Sequence, residues 1–236
     1  MKVEELEKYG AKLEMPKEAV KEQTKIMLRA LKNEFGILGM IGVFKDMLLF
    51  QRKLRKENPE TRKKVLDISP SVEKELFVFS AMFLSLAKRM GRKNAYEFFK
   101  IKVMNEIAQI SMPLLYQAED LKKCDGDVFE NFKKMNIAMF ERTTKDGTWL
   151  MESFQDEKDK LTIKITTCKN VELFNELGVP ELGKFGCDHD IAGYPVIEND
   201  VDCEFRRTCT IANGDGYCLF EFYRRGTAPD TAHLNI

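Results

Sequence analysis

Four consecutive residues in the stretch FGCDHDIAGYP, namely Cys187, Asp188, His189 and Asp190, bring a thiol, two carboxylates and an imidazole together. A thiol attacks only as thiolate, so a working cysteine needs a nearby base or cation to lower its pKa. His189 is the base at hand, and Arg206 or Arg207, whichever faces the same side of its strand, is the cation. Asp188 and Asp190 oppose ionisation of the thiol but suit a cationic substrate such as a protonated amidine or isothiourea. These residue types together fit attack on the carbon of a C=N bond. Two rival readings are a metal ion held by Cys187, His189 and another cysteine, and a polar turn without function. No pair of the six cysteines has the CxxC spacing of a structural zinc site, so we expect no metal and no cofactor.

These groups need elements to position them. From about Pro16 to Arg142 apolar residues recur at three and four, as in Phe79, Met82, Phe83 and Leu86, which is the period of an amphipathic helix. Breaks at Asn58-Pro59, at Ser69-Pro70-Ser71 with Glu73 following as in a helix N-cap, at Met90-Gly91-Arg92 and at Cys124 to Asp127 predict four or five helices. After Thr143 the texture changes to GTWLMESF, KLTIKITTC, DCEFRRTCTIA and YCLFEFYRR, which read as strands, the last two forming a hairpin. Turns fall at Lys145-Asp146-Gly147 and Asn213 to Gly216, and Asn170 to Gly178 reads as a short helix closed by glycine. The expectation is one α+β domain over residues 1–236, with a helical half (1–142) packed on an antiparallel sheet (143–236). Strand alternation puts Cys203, Phe205, Arg207, Cys209 and Ile211 on one face, and Cys218, Phe220 and Phe222 share a face of the next strand.

Composition removes several functional classes. Lysine plus arginine equals aspartate plus glutamate at 38 each, so no net field draws the 236-residue chain to nucleic acid or acidic lipid. The basic segment QRKLRKENPETRKK has acidic members and no interleaved aromatics, and reads as a solvated helix end. The apolar run from Gly36 to Phe50 contains Lys45 and Asp46 and is too short for a clean membrane span. Its glycines, Gly36, Gly39 and Gly42, would make a smooth stripe for helix packing. The charged opening MKVEELEKYG has no apolar signal core, which predicts free thiols in a reducing cytoplasm.

The order ITTCKNVELFNELGVPELGKFGCDHD, then FRRTCTIANGDGYCLFEF, resembles the L-2-amino-thiazoline-4-carboxylic acid hydrolase family. The matching positions are Cys168, Leu177-Gly178, Cys187 with Asp190, Arg207 with Thr210, Gly214, and Cys218 with Phe220; Leu219 stands where members often carry aspartate. The resemblance implies a cofactor-free hydrolase that opens a cyclic isothiourea to N-carbamoyl-L-cysteine. Cys187 or a water would attack C2, with Asp190 holding the amidinium and shuttling a proton; His189 as base rests on the residues alone, not on the resemblance. Arg207, Thr210 and Asp188 would bind the substrate, Arg207 through its carboxylate, while Cys168 and Cys218 support the site. Helices followed by a late glycine turn and a Cys-x-Phe strand are also similar to four-vinyl-reductase and heme-nitric-oxide ligand-binding domains. That likeness implies a non-catalytic binder of a small molecule, metal or tetrapyrrole. The expected partner is a small molecule, with no nucleic acid or membrane, and a homodimer through an exposed helical face is the further expectation.

Overall fold

The computed structural model describes residues 16–68 and 70–230; Ser69, expected to start a helix, and the opening MKVEELEKYG lie outside the described residues. Helices run first: α1 (Lys17–Glu57), α2 (Pro59–Ile68), α3 (Pro70–Met90), α4 (Arg92–Phe99), a π turn over Lys100–Met104, α5 (Asn105–Leu115), α6 (Ala118–Leu121) and α7 (Val128–Lys145). The strands follow: β1 (Trp149–Glu157), β2 (Lys160–Cys168), β3 (Cys203–Arg206) and β4 (Cys218–Arg224). Between β2 and β3 lie α8 (Lys169–Glu176), a 3-10 turn over Pro180–Lys184 and α9 (Phe185–Val201). The fold is α+β, its four strands forming one antiparallel sheet in the order β1-β2-β4-β3.

The helical stretch is divided more finely than its hydrophobic period indicates. A left-handed Gln117 (φ 46) separates α5 from α6, and the Asp127 side chain accepts from Glu130 N to start α7. α8 ends as expected: Gly178 (φ 70) donates to Asn175 O and Val179 to Phe174 O, the paired bonds of a glycine C-cap. Among the described residues no helix is long and apolar enough to cross a membrane.

Two compact units share this chain. One takes residues 24–104 and 170–185. Phe185 packs there against Phe79 and Phe99, with ring centroids 5.3 and 6.0 Å away. The glycine stripe is not smooth. Gly36 (φ 66, ψ 179) kinks α1, and only Gly42 meets another helix, where an added Cβ would lie 3.0 Å from Arg89. Glu73 in α3 receives two bonds from Arg55 and one from Arg62. Burial pushes its carboxyl up, yet those two guanidinium groups prevail and hold it below the usual range. Lys64 is bound by Glu176, so the basic segment is partly neutralised within this unit.

The other unit holds residues 105–169 and the chain from 186 onward, with the start of α1. One sheet face, with Leu161, Ile163, Phe205, Phe220 and Phe222, buries against Phe129, Phe132, Met135 and Phe140 of α7 and Tyr194, Ile197 and Val201 of α9. With Met139, also in this core, the α7 residues Phe129, Phe132, Met135 and Met139 recur at three and four, as a core-facing helix requires. β3 is shorter than its β-rich sequence suggests, because side chains take the backbone donors that follow it. Thr210 N goes to Asp215 Oδ2, and Ile211 N to Cys218 Sγ.

α5 and α9 meet closely at Gly193, where an added Cβ would stand 2.6 to 3.3 Å from Met112. The Met112 Cβ is among those atoms and cannot swing away. Gly193→Ala is therefore expected to lower stability by about 1–3 kcal/mol, read as a reduced urea midpoint with unchanged slope; an unaltered midpoint would mean the helices are free to part.

Candidate active site

α9 sets the geometry of the reactive stretch. On a helix, residues three, four and seven apart share a face, so Cys187, Asp190, Tyr194, Ile197 and Val201 form one side. Cys187, Tyr194, Ile197 and Val201 are buried there. Asp190 is the polar member of that core face. His189, two residues after Cys187, is turned about 200° around the helix from it.

Arg207 reaches this face from just beyond β3, continuing the inward alternation of Cys203 and Phe205. Its side chain is 2% exposed. Nη2 donates to Asp190 Oδ2 at 2.6 Å and Nη1 to Cys187 Sγ at 3.5 Å. The Phe220 ring lies under the guanidinium, 3.8 Å from centroid to carbon, which places the cation on the ring's negative face. Nε is buried with no hydrogen-bond partner. Arg206 instead faces the other side and bonds Glu204.

The other expected residues divide. Cys218 is buried near Cys187, and its sulfur accepts from Ile211 N at 3.3 Å. Cys168 ends β2, half-buried. Thr210 is fully buried and caps the turn that follows, accepting from Asn213 N. Asp188 is buried, one residue round the helix from the Cys187 face. His189 is not brought to Cys187: its Nε2 lies 2.6 Å from Ser111 Oγ, and its Nδ1 lies 3.9 Å from Asp190 Oδ1. The metal set of Cys187, His189 and a further cysteine is likewise split between helix faces. Among the described residues no group of three or more His, Cys, Asp or Glu is placed to hold a metal ion.

Two tyrosines complete the cluster. Tyr194 follows Asp190 by one helical turn, and its hydroxyl bonds that of Tyr116. Both are buried, and burial pushes both phenols up. Asp190 adds to that upward shift and Arg207 opposes it, so both tyrosines lie within the electrostatic reach of the ion pair. A helical reading of FGCDHDIAGYP would have pointed to Tyr194 through its spacing; Tyr116 and Ser111 carry no comparable signal.

The family model for L-2-amino-thiazoline-4-carboxylic acid hydrolase matches residues 71–222, well over half of the 236-residue chain. The chain belongs to that family. The L-2-amino-thiazoline-4-carboxylic acid hydrolase match takes in Ser111, Tyr116, Cys187, Asp190, Tyr194, Arg207 and Cys218, and leaves α1 and α2 outside it. Leu219, the departure from the family pattern, points away from Cys218 and Phe220 by strand alternation. No curated protein matches the chain. Solved structures that overlap it include one determined to probe heme distortion in the H-NOX family (11% identity, 81% of this chain, 97% of that chain, TM-score 0.32). Another is an oxygen-binding H-NOX domain related to soluble guanylate cyclases (11% identity, 81% and 97% coverage, TM-score 0.28). At such scores the overlap carries no argument about ligand or function.

Burial pushes the Cys187 thiol from 9.0 up to about 11, against the opposing pull of Arg207. The folded chain therefore binds this proton more tightly than the unfolded chain does. Its contribution to stability is complete below about pH 9 and is lost as pH rises through about 11. Alkylation of Cys187 in the free protein is expected to be slow at pH 7 and to accelerate about tenfold per pH unit toward pH 11, measured by peptide mapping. A rate already at its plateau by pH 8 would contradict the buried, proton-holding thiol.

Proposed function

We propose that this chain hydrolyses a small cyclic isothiourea or amidine, of the kind represented by L-2-amino-thiazoline-4-carboxylate, and opens it to N-carbamoyl-L-cysteine with Cys187 as nucleophile. The observation that carries the reading is the single guanidinium that bonds both Cys187 Sγ and Asp190 Oδ2, in a chain of this family.

Such a substrate is a zwitterion, and Arg207 and Asp190 are its complement. In the free protein they satisfy one another. The substrate carboxylate takes Arg207, whose Nε has no partner to give up, while the amidinium takes Asp190. Asp190 raises the pKa of Cys187 and Arg207 lowers it; a bound zwitterion offsets both, and what is left to favour the thiolate is the amidinium itself, whose C2 has to stand against Sγ for attack. The thiol then ionises in the occupied site and stays protonated in the empty one.

The covalent steps balance with one water. Cys187 Sγ bonds to C2, the bond from C2 to the ring sulfur breaks, and the proton lost by the thiol passes through Asp190 to the leaving sulfur. Water then adds to the same carbon, the bond to Cys187 breaks, and the urea leaves as the thiol is restored. His189 has no place in the first step, since it faces away from Cys187.

Incubation with L-2-amino-thiazoline-4-carboxylate should release one thiol per substrate opened. Cys187→Ala is expected to lose about a hundredfold or more of that rate with its far-UV circular dichroism unchanged. Arg207→Lys is expected to raise KM by about tenfold or more, because an ammonium cannot hold a carboxylate through two parallel bonds. Full activity of Cys187→Ala, or no turnover by the intact chain, would overturn the reading.

A further inference from the structure

Where α5 and α9 cross, three groups line up that the thiol chemistry does not use together. Ser111 Oγ lies 2.6 Å from His189 Nε2, and His189 Nδ1 lies 3.9 Å from Asp190 Oδ1. We propose that Ser111, His189 and Asp190 form a second reactive centre, a hydroxyl nucleophile with its own base, that accepts the acyl group of a small ester or activated amide.

A serine hydroxyl is a weak nucleophile unless a base takes its proton as it attacks, and a base must stand about 2.6–3.2 Å from it to do so. His189 does. The carboxylate on the other side of the imidazole favours a proton on Nδ1, which leaves the Nε2 lone pair directed at Ser111. The separation from Asp190 is that of an ion pair, and catalytic bonds of this type tighten on binding. Ser111 also donates to Ile107 O at 2.9 Å, the resting bond of a serine inside a helix. Its single proton is thus shared between the helix carbonyl and the base.

Cys187 has a different arrangement, with a guanidinium beside it and no imidazole. Asp190 serves both centres, with Oδ2 on Arg207 and Oδ1 toward His189. The side chains of His189 and Asp190 are 18% and 23% exposed, whereas Ser111 is 3% exposed. A substrate would therefore meet the imidazole before the hydroxyl, and the burial of Ser111 favours a small acyl group. In the reaction the bond from Ser111 Oγ to the acyl carbon forms as the hydroxyl proton moves to His189 Nε2. The ester C–O bond breaks, and the departing alcohol takes that proton. Water repeats the sequence and releases the acid.

The full-length protein is treated with p-nitrophenyl acetate at neutral pH, washed with neutral hydroxylamine to remove thioesters, and mapped by peptide mass spectrometry. We expect an acetyl group on Ser111, and in His189→Gln a drop of about a hundredfold or more in its rate of acetylation with circular dichroism unchanged. Acetyl groups confined to lysine, or none left after hydroxylamine, with Ser111 unmodified, would show that Ser111 only joins two helices and would overturn the proposal. Acetylation of Ser111 at an equal rate in His189→Gln would overturn the role of the base.

Discussion

A guanidinium almost sealed from water is the constraint to which the sheet-containing unit answers. Removing a charge from water costs several kcal/mol unless partners replace the lost hydration, and Arg207 cannot shed its charge because its pKa lies far above neutrality. Burial disfavours the cation, yet the neighbouring Asp190 carboxylate and other groups more than offset this and hold the proton on. The surroundings are therefore specified in detail: a carboxylate at one end, a sulfur beside it, and an aromatic face from β4 beneath. α9 has to lie with Asp190 toward the end of β3, and β4 has to bring Phe220 under the cation. Loosening any of these would leave a bare charge in an aromatic core.

The same burial controls the chemistry. A cysteine in so dry a place is inert by default, and the cation beside it only partly reverses that. In the proposed reaction the thiol is quiet while the site is empty, and Asp190, which opposes its ionisation, is also the group that would meet a positively charged ligand. The buried tyrosine pair adds hydroxyl dipoles to this field without adding a charge, since both phenols are held protonated.

Much of this was legible in the residues. Strand alternation placed Arg207 inward and Arg206 outward, and the motif spacing singled out Cys187 and Asp190. The strands and the glycine-closed helix after β2 were also clear, because β-branched residues, turns and a cap agree there. The helix through FGCDHDIAGYP was not. It contains Gly186, Gly193 and Pro195, which argue locally for a turn, and its two faces differ little in polarity because Asp190 sits on the buried one. Tertiary packing against α5, permitted by the missing side chain at Gly193, outweighs those local preferences. With the helix unseen, His189 looked like a neighbour of Cys187, and the actual neighbour, Ser111, lay 78 residues away in the chain. Thr210, which matches a family position, also ties the turn that lets the chain leave β3 and return as β4, a structural duty that spacing alone does not reveal.

The division of the chain between its two units bears on how the protein comes to be folded. The backbone passes from one to the other at residues 23, 104, 169 and 185, so neither unit is a continuous piece. During synthesis the helices between 24 and 104 emerge first, but their last component, α8 with the turn after it, follows only once the β1–β2 hairpin has been made. The sheet in turn waits for β4, near the end. Such long sequence separations slow folding, because loop closure is costly before any contact repays it. Newly made chains would spend that interval with apolar helix faces uncovered, the condition in which aggregation competes with folding.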